Sequence, residues 1–186
     1  MSEIVGAPLS ADGTIVLSER PEGVLLGRAG TVVGIRRAPL HGAVLAELRA
    51  GFERGLAEHP KGLVCLTAYR LSPRFPLGVG FDSNTGELSE TLRVLDRSII
   101  ASAHVLEFGG VRAAAMRAAT LAVTLLARPR APIASFDRLT DAIAWLRPHA
   151  EAAGVAHDPA TFVALYAEAE RRLAAMDGTL GDAPAR

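Results

Sequence analysis

The chain has 186 residues, sets 20 basic against 20 acidic side chains, and is 49% hydrophobic and 22% charged. That size supports one domain with a core that needs no disulfide or metal. Zero net charge argues against a nucleic-acid footprint and an electrostatic membrane clamp, and a lone cysteine, Cys65, excludes an intramolecular disulfide and a cysteine-based zinc cluster. Lys61 is the only lysine, and the Arg-for-Lys and Ala bias carries no functional weight. Met1-Ser2-Glu3-Ile4-Val5 lacks the basic start of a secretory signal. Arg and Gly interrupt every apolar stretch before it reaches a membrane span, so the expected location is cytoplasmic.

Residues 1–12 read as a loose arm. Thr14-Ile15-Val16-Leu17 is a short β-branched strand candidate, and Val24-Leu25-Leu26 and Thr31-Val32-Val33-Gly34-Ile35 are a second and a third strand candidate. The turn Arg20-Pro21-Glu22-Gly23 and a break at Gly30 separate them, which predicts an antiparallel hairpin or meander. After Pro39, the residues Val44, Leu45, Leu48, Phe52 and Leu56 share one helical face. Pro60-Lys61-Gly62 stops that helix, and the apolar run Leu63 to Tyr69 predicts a central strand covered on both faces, with Cys65 a buried inert thiol.

Residues 70–86 form a long Pro/Gly loop, a length that often marks function. Asn84 and Glu87 make a loose capping box before a helix whose face is Leu88, Leu92, Leu95 and Ile99. His104 to Phe108 is the next predicted strand, and Gly109-Gly110 leads into a helix from Val111 to Ala127. Its small residues, Ala115 and Ala118 among them, read as room for close packing on the sheet. Ile133 to Phe136 is a final strand, and Asp137 is the expected N-cap of a helix that Pro148 closes. Asp158-Pro159 opens a last amphipathic helix with Phe162, Leu165, Tyr166 and Leu173 on one side. The predicted order is β-β-β-α-β-α-β-α-β-α plus one helix. This is an α/β mixed sheet, with an antiparallel N-terminal hairpin, parallel βαβ units through right-handed crossovers, and helices packed upon it. The expected organisation is a domain over 13–148, a helical extension over 149–176 and a disordered tail over 177–186.

Three phrases add a resemblance. They are Gly110-Val111-Arg112-Ala113-Ala114-Ala115-Met116-Arg117, Leu125-Leu126-Ala127-Arg128-Pro129, and the run from Phe136-Asp137-Arg138-Leu139 to Ala144-Trp145-Leu146. In this order of elements they resemble the STAS-like fold group of the anti-sigma-factor-antagonist type, closest to its uncharacterised bacterial relatives. The resemblance covers residues 23–147. It implies a small signalling or scaffold module without chemistry of its own, whose partner binding is switched by phosphorylation of a Ser or Thr at a helix start. The family's acceptor follows a central strand directly in an Asp-Ser-x-Gly setting. Here the similar Asp82-Ser83-Asn84-Thr85-Gly86 comes after the long loop.

Ser83 and Thr85 are therefore candidate phosphoacceptors, since added negative charge is favoured at a helix N-terminus. Turn and cap chemistry explains the same residue types. Arg70, Arg74, Phe75, Phe81 and Asp82 are a candidate interaction surface, aromatics flanked by arginines being typical of partner contacts. Gly109, Gly110 and Arg112 are a candidate anion or ligand site at a helix start, although close packing also accounts for the glycines. No phosphate-loop, dinucleotide, nucleophile-elbow or His-x-x-x-His pattern is present, so no catalytic residue, metal or cofactor is expected. The leading expectation is a non-catalytic protein-interaction module in bacterial regulation or scaffolding, with another protein as partner, homodimerisation open, and neither nucleic acid nor membrane involved. The alternative is a protein that binds a small apolar or anionic molecule.

Overall fold

The computed structural model describes residues 13–38, 42–70, 85–127 and 129–181. Three strands come first: β1 (Ile15–Arg20), β2 (Gly23–Arg28) and β3 (Thr31–Arg36). Then strands and helices alternate as α1 (Gly42–Glu58), β4 (Leu63–Tyr69), α2 (Thr85–Ser98), β5 (Ile99–Leu106), α3 (Gly110–Ala127) and β6 (Ile133–Phe136). Two helices, α4 (Leu139–Ala152) and α5 (Pro159–Gly181), close the order. The six strands form one sheet in sequential order. β1, β2 and β3 pair antiparallel, and β3, β4, β5 and β6 pair parallel. The fold is the α/β mixed sheet that the sequence predicts.

Parallel strands joined by right-handed crossovers send their helices to one face. On that face, Val44, Leu48 and Phe52 of α1 and Val94 of α2 pack with Leu17, Leu25, Val32, Leu63 and Cys65 of the sheet. Gly51 lets α1 approach β1 closely, because a Cβ there would meet the Leu17 carbonyl oxygen at 3.0 Å. The opposite face is covered by the last two helices. Ala142, Ile143, Leu146 and Ala150 of α4, and Phe162, Leu165, Ala169 and Leu173 of α5, pack on Val24, Leu26, Val33, Ile35, Val64, Leu66, Ala68, Ala101, Ala103 and Val105. The C-terminal helix is thus a structural layer, and it runs through Gly181, beyond the amphipathic segment read from the sequence. It starts at the expected Asp158-Pro159, and the Asp158 carboxylate accepts from the Ala160 and Thr161 amides at 3.0 and 3.1 Å and from the Thr161 hydroxyl at 2.8 Å.

Several local expectations are corrected. Ile99 continues the α2 periodicity in sequence, yet it is the first residue of β5, pairing with Leu63. The helix ends one residue earlier, where the buried Ser98 hydroxyl donates to the Val94 carbonyl at 2.7 Å. Pro148 lies inside α4, which continues to Ala152. The α4 N-cap is Arg138, in extended conformation with no side-chain cap bond, while Asp137 pairs with Arg117 of α3. Ala115 and Ala118, expected to pack on the sheet, are exposed; in the first half of α3 Ala113 is the buried alanine.

Neighbouring positions on α5 test its role as a layer. Phe162 is 1% exposed and Val163 is 53% exposed. In urea unfolding, Phe162→Ala is expected to cost about 3–5 kcal/mol. Val163→Ala is expected to stay within about 0.5 kcal/mol of the parent.

Candidate functional site at the carboxyl edge of the sheet

Parallel pairing of β3, β4, β5 and β6 gathers their carboxyl ends at one edge, where open α/β sheets receive ligands. The hydrogen-bond ladder runs past the strand ends there: the Arg70 amide donates to the Arg36 carbonyl at 2.8 Å and the Glu107 amide to the Tyr69 carbonyl at 3.0 Å. Three groups of side chains meet at this edge.

The first clamps α5 to the strands. Arg70 Nε donates to Glu107 Oε2 at 2.7 Å, and a terminal nitrogen of Arg70 donates to Glu170 Oε1 at 2.7 Å and to the Tyr166 hydroxyl at 3.0 Å. Tyr166 donates in turn to Glu107 Oε1. Tyr166 and Glu170 are four apart on α5 and so share a face. Burial works against charge on Arg70, but the hydrogen bonds it donates to Glu170 and Glu107 outweigh it and hold the guanidinium firmly protonated. Burial and the bond to Glu107 push the Tyr166 hydroxyl well above its ordinary range. Arg37 makes a second tie, donating to Asp177 at 2.8 Å. Arg70, read from the sequence as part of a partner surface, is committed within the chain.

The second group is an open recess of about 460 Å3 between the strand-to-helix turn 107–110 and the Arg117–Asp137 ion pair, with Ala113 on its wall. Gly110 adopts φ +70°, in the left-handed region that favours glycine. A Cβ at Gly109 or Gly110 would meet nothing within 4 Å. Both glycines therefore face open space, which corrects the close-packing account of them. They line the recess, whereas the exposed Arg112 does not; Arg117, further along α3, supplies the guanidinium instead. Immediately beside it Val111 is 86% exposed.

The third group lies on the α1/α2 face of the sheet. Residues of β3, β4 and β5 alternate between faces. Since Val33, Ile35, Val64, Leu66, Ala68, Ala103 and Val105 point to α4 and α5, their neighbours Arg36, Thr67, Tyr69 and His104 point the other way. Arg36 stands beside Tyr69 in register. The Tyr69 and His104 rings meet edge-on with centroids 5.3 Å apart, and the Ser102 hydroxyl lies 3.4 Å from His104 Nε2. Burial pushes the Tyr69 hydroxyl up, lowers the Arg36 guanidinium, and pushes His104 down to about 4. The same face carries Cys65, buried and with its thiol pushed far up by burial, as the inert reading expects.

Of the other candidates, Ser83, Arg74, Phe75, Phe81 and Asp82 lie outside the described residues, and Thr85 is the first residue of α2. Reading the sequence overlooked Arg36, Tyr69, His104 and Asp137 as members of one edge, whereas Arg117 was grouped with Gly109 and Gly110 as a possible anion contact. The signal was available: polar residues stand near the ends of successive strands whose interiors are apolar. Among the described residues, no cluster of His, Cys, Asp or Glu has the form of a metal site, and no helix is long and apolar enough to cross a membrane. Comparison with family models, curated proteins and solved structures returns no match.

His104 gives the stability a pH dependence. Its folded value of about 4 lies below its ordinary 6.5. Between those limits the unfolded chain binds a proton that the folded protein refuses, so stability falls as pH drops through that window. Thermal unfolding midpoints should decline from pH 6.5 towards 4, and His104→Leu should flatten that decline; an unchanged slope in the variant would remove His104 as its source.

Proposed function

We propose that the chain is a STAS-like, non-catalytic protein-interaction module of cytoplasmic bacterial regulation or scaffolding, which receives another protein at the carboxyl edge of its sheet. One observation carries this reading. An open recess of about 460 Å3 adjoins the start of α3, where Val111 is 86% exposed next to the exposed Ala114 and Ala115. A large apolar side chain left in water beside a concavity, ringed by Arg112, Arg117 and Asp137, has the make-up of a partner-binding patch, with an apolar centre and a polar rim. The recess also falls within the volume range of small-ligand sites, which favours the small-molecule reading as the second choice. Its lining counts against an anion, since Glu107 and Asp137 face one arginine that Asp137 already pairs.

Site-specific photo-crosslinking in the native cell tests the proposal. A photoreactive side chain in place of Val111 is expected to give a discrete adduct, and the same group in place of Val163 on α5 is expected to give none. Equal yields at both positions, or none at Val111, would overturn it; an adduct of twice the chain mass would identify the partner as a second copy. The phosphorylation switch belongs to the same proposal and rests on Ser83 and Thr85. Phosphate is expected at one of them in the population that escapes crosslinking. An unmodified peptide in both populations would remove the switch.

A further inference from the structure

The Arg36, Tyr69 and His104 group lies apart from the docking surface proposed above, and its composition calls for its own account. A strand covered on both faces is expected to be apolar on both. The α1/α2 face obeys this at the amino half of the strands, with Val32, Leu63 and Cys65. At the carboxyl half it turns polar on three consecutive strands, with Arg36 on β3, Thr67 and Tyr69 on β4, and His104 on β5. All three ring or guanidinium groups are set deep in protein yet keep some contact with solvent.

We infer that Arg36, Tyr69 and His104 form an oxyanion-binding subsite on the α1/α2 face at the carboxyl ends of β3, β4 and β5, for a ligand bearing a carboxylate or phosphate group. The guanidinium makes the case. It donates to the Ala38 carbonyl at 3.1 Å, and among the described residues no carboxylate forms an ion pair with it. Glu22 is felt electrostatically but makes no ion pair with it. A guanidinium offers five donors in a planar fork that matches two oxygens of an oxyanion. A partly desolvated one whose donors find only the Ala38 carbonyl among the described residues is poised for such a ligand, because leaving it without a counter-charge is costly. Tyr69, next to it in register, supplies a protonated hydroxyl, and the neutral imidazole of His104 supplies one further N–H. Three donors thus share one face on three adjacent strands, and the clamp of Arg70, Glu107, Tyr166 and Glu170, which reaches α5, plays no part.

Small oxyanions serve as probes, so the test is independent of any partner at the recess. Imidazole 1H–15N spectra of the folded protein are recorded at neutral pH during titration with sodium phosphate and with sodium acetate, against sodium chloride at equal ionic strength. A saturable shift of the His104 ring signals is expected with at least one of the two oxyanions, while those of His149 on α4 stay in place. Arg36→Gln should weaken that binding by about tenfold or more, the loss of a charge-assisted contact, and Tyr69→Phe, which keeps the ring, by less. Arg36→Lys should retain part of it. Signals of His104 that follow ionic strength alone, or that shift equally in Arg36→Gln, would overturn the inference.

Discussion

β4 lies between β3 and β5 and carries apolar side chains on both sides: Leu63 and Cys65 towards α1 and α2, Val64, Leu66 and Ala68 towards α4 and α5. A strand in that position has to be shielded from water twice. The crossover helices shield one face because right-handed connections leave them no other. The other face has to be covered by chain that follows the sheet, and α4 and α5 supply it. Fully burying side chains such as Phe162, Leu165 and Leu173 contributes roughly 1.5–3 kcal/mol each, so α5 cannot detach without exposing the centre of the molecule. The clamp of Arg70, Glu107, Tyr166 and Glu170 fixes where that helix lies along the strands.

The same parallel pairing explains why chemistry collects at one edge. Arg36, Tyr69, Arg70, His104 and Glu107 are far apart in the chain, yet their strands all end on the same side. Strand alternation then sorts them. Arg36, Tyr69 and His104 face α1 and α2, while Arg70 and Glu107, just past the strand ends, reach α5. The recess opens one step further along, where β5 turns into α3. Docking on the recess and oxyanion binding on the sheet face are thus separate proposals on one edge, linked through β5.

The order of elements was legible because the signals were long and repeated: the apolar run of β4, the period of α1 and the amphipathic spacing of α5 after Asp158-Pro159. Boundaries failed where two local rules competed. Ile99 satisfies the helical spacing of Leu88, Leu92 and Leu95, but pairing with Leu63 claims it for the sheet. Asp137 is a good cap by residue type, but an arginine on α3 takes its carboxylate. For Gly109 and Gly110 a ligand site and close packing both stayed open, because sequence shows a missing side chain without showing whether the space is filled. The oxyanion subsite was missed for a different reason. Arg36, Tyr69 and His104 belong to three strands, and no spacing within one segment could join them.

The cover of the β2–β3 hairpin also has consequences for synthesis. Val24, Leu26, Val33 and Ile35 leave the ribosome early, and the α5 residues that bury them emerge only after every strand has been made. Domains fold as they are translated, from the N-terminus onward, but here the hairpin must wait with a bare apolar face. A ribosome stalled before Phe162 would therefore leave that face without the α5 side chains that cover it.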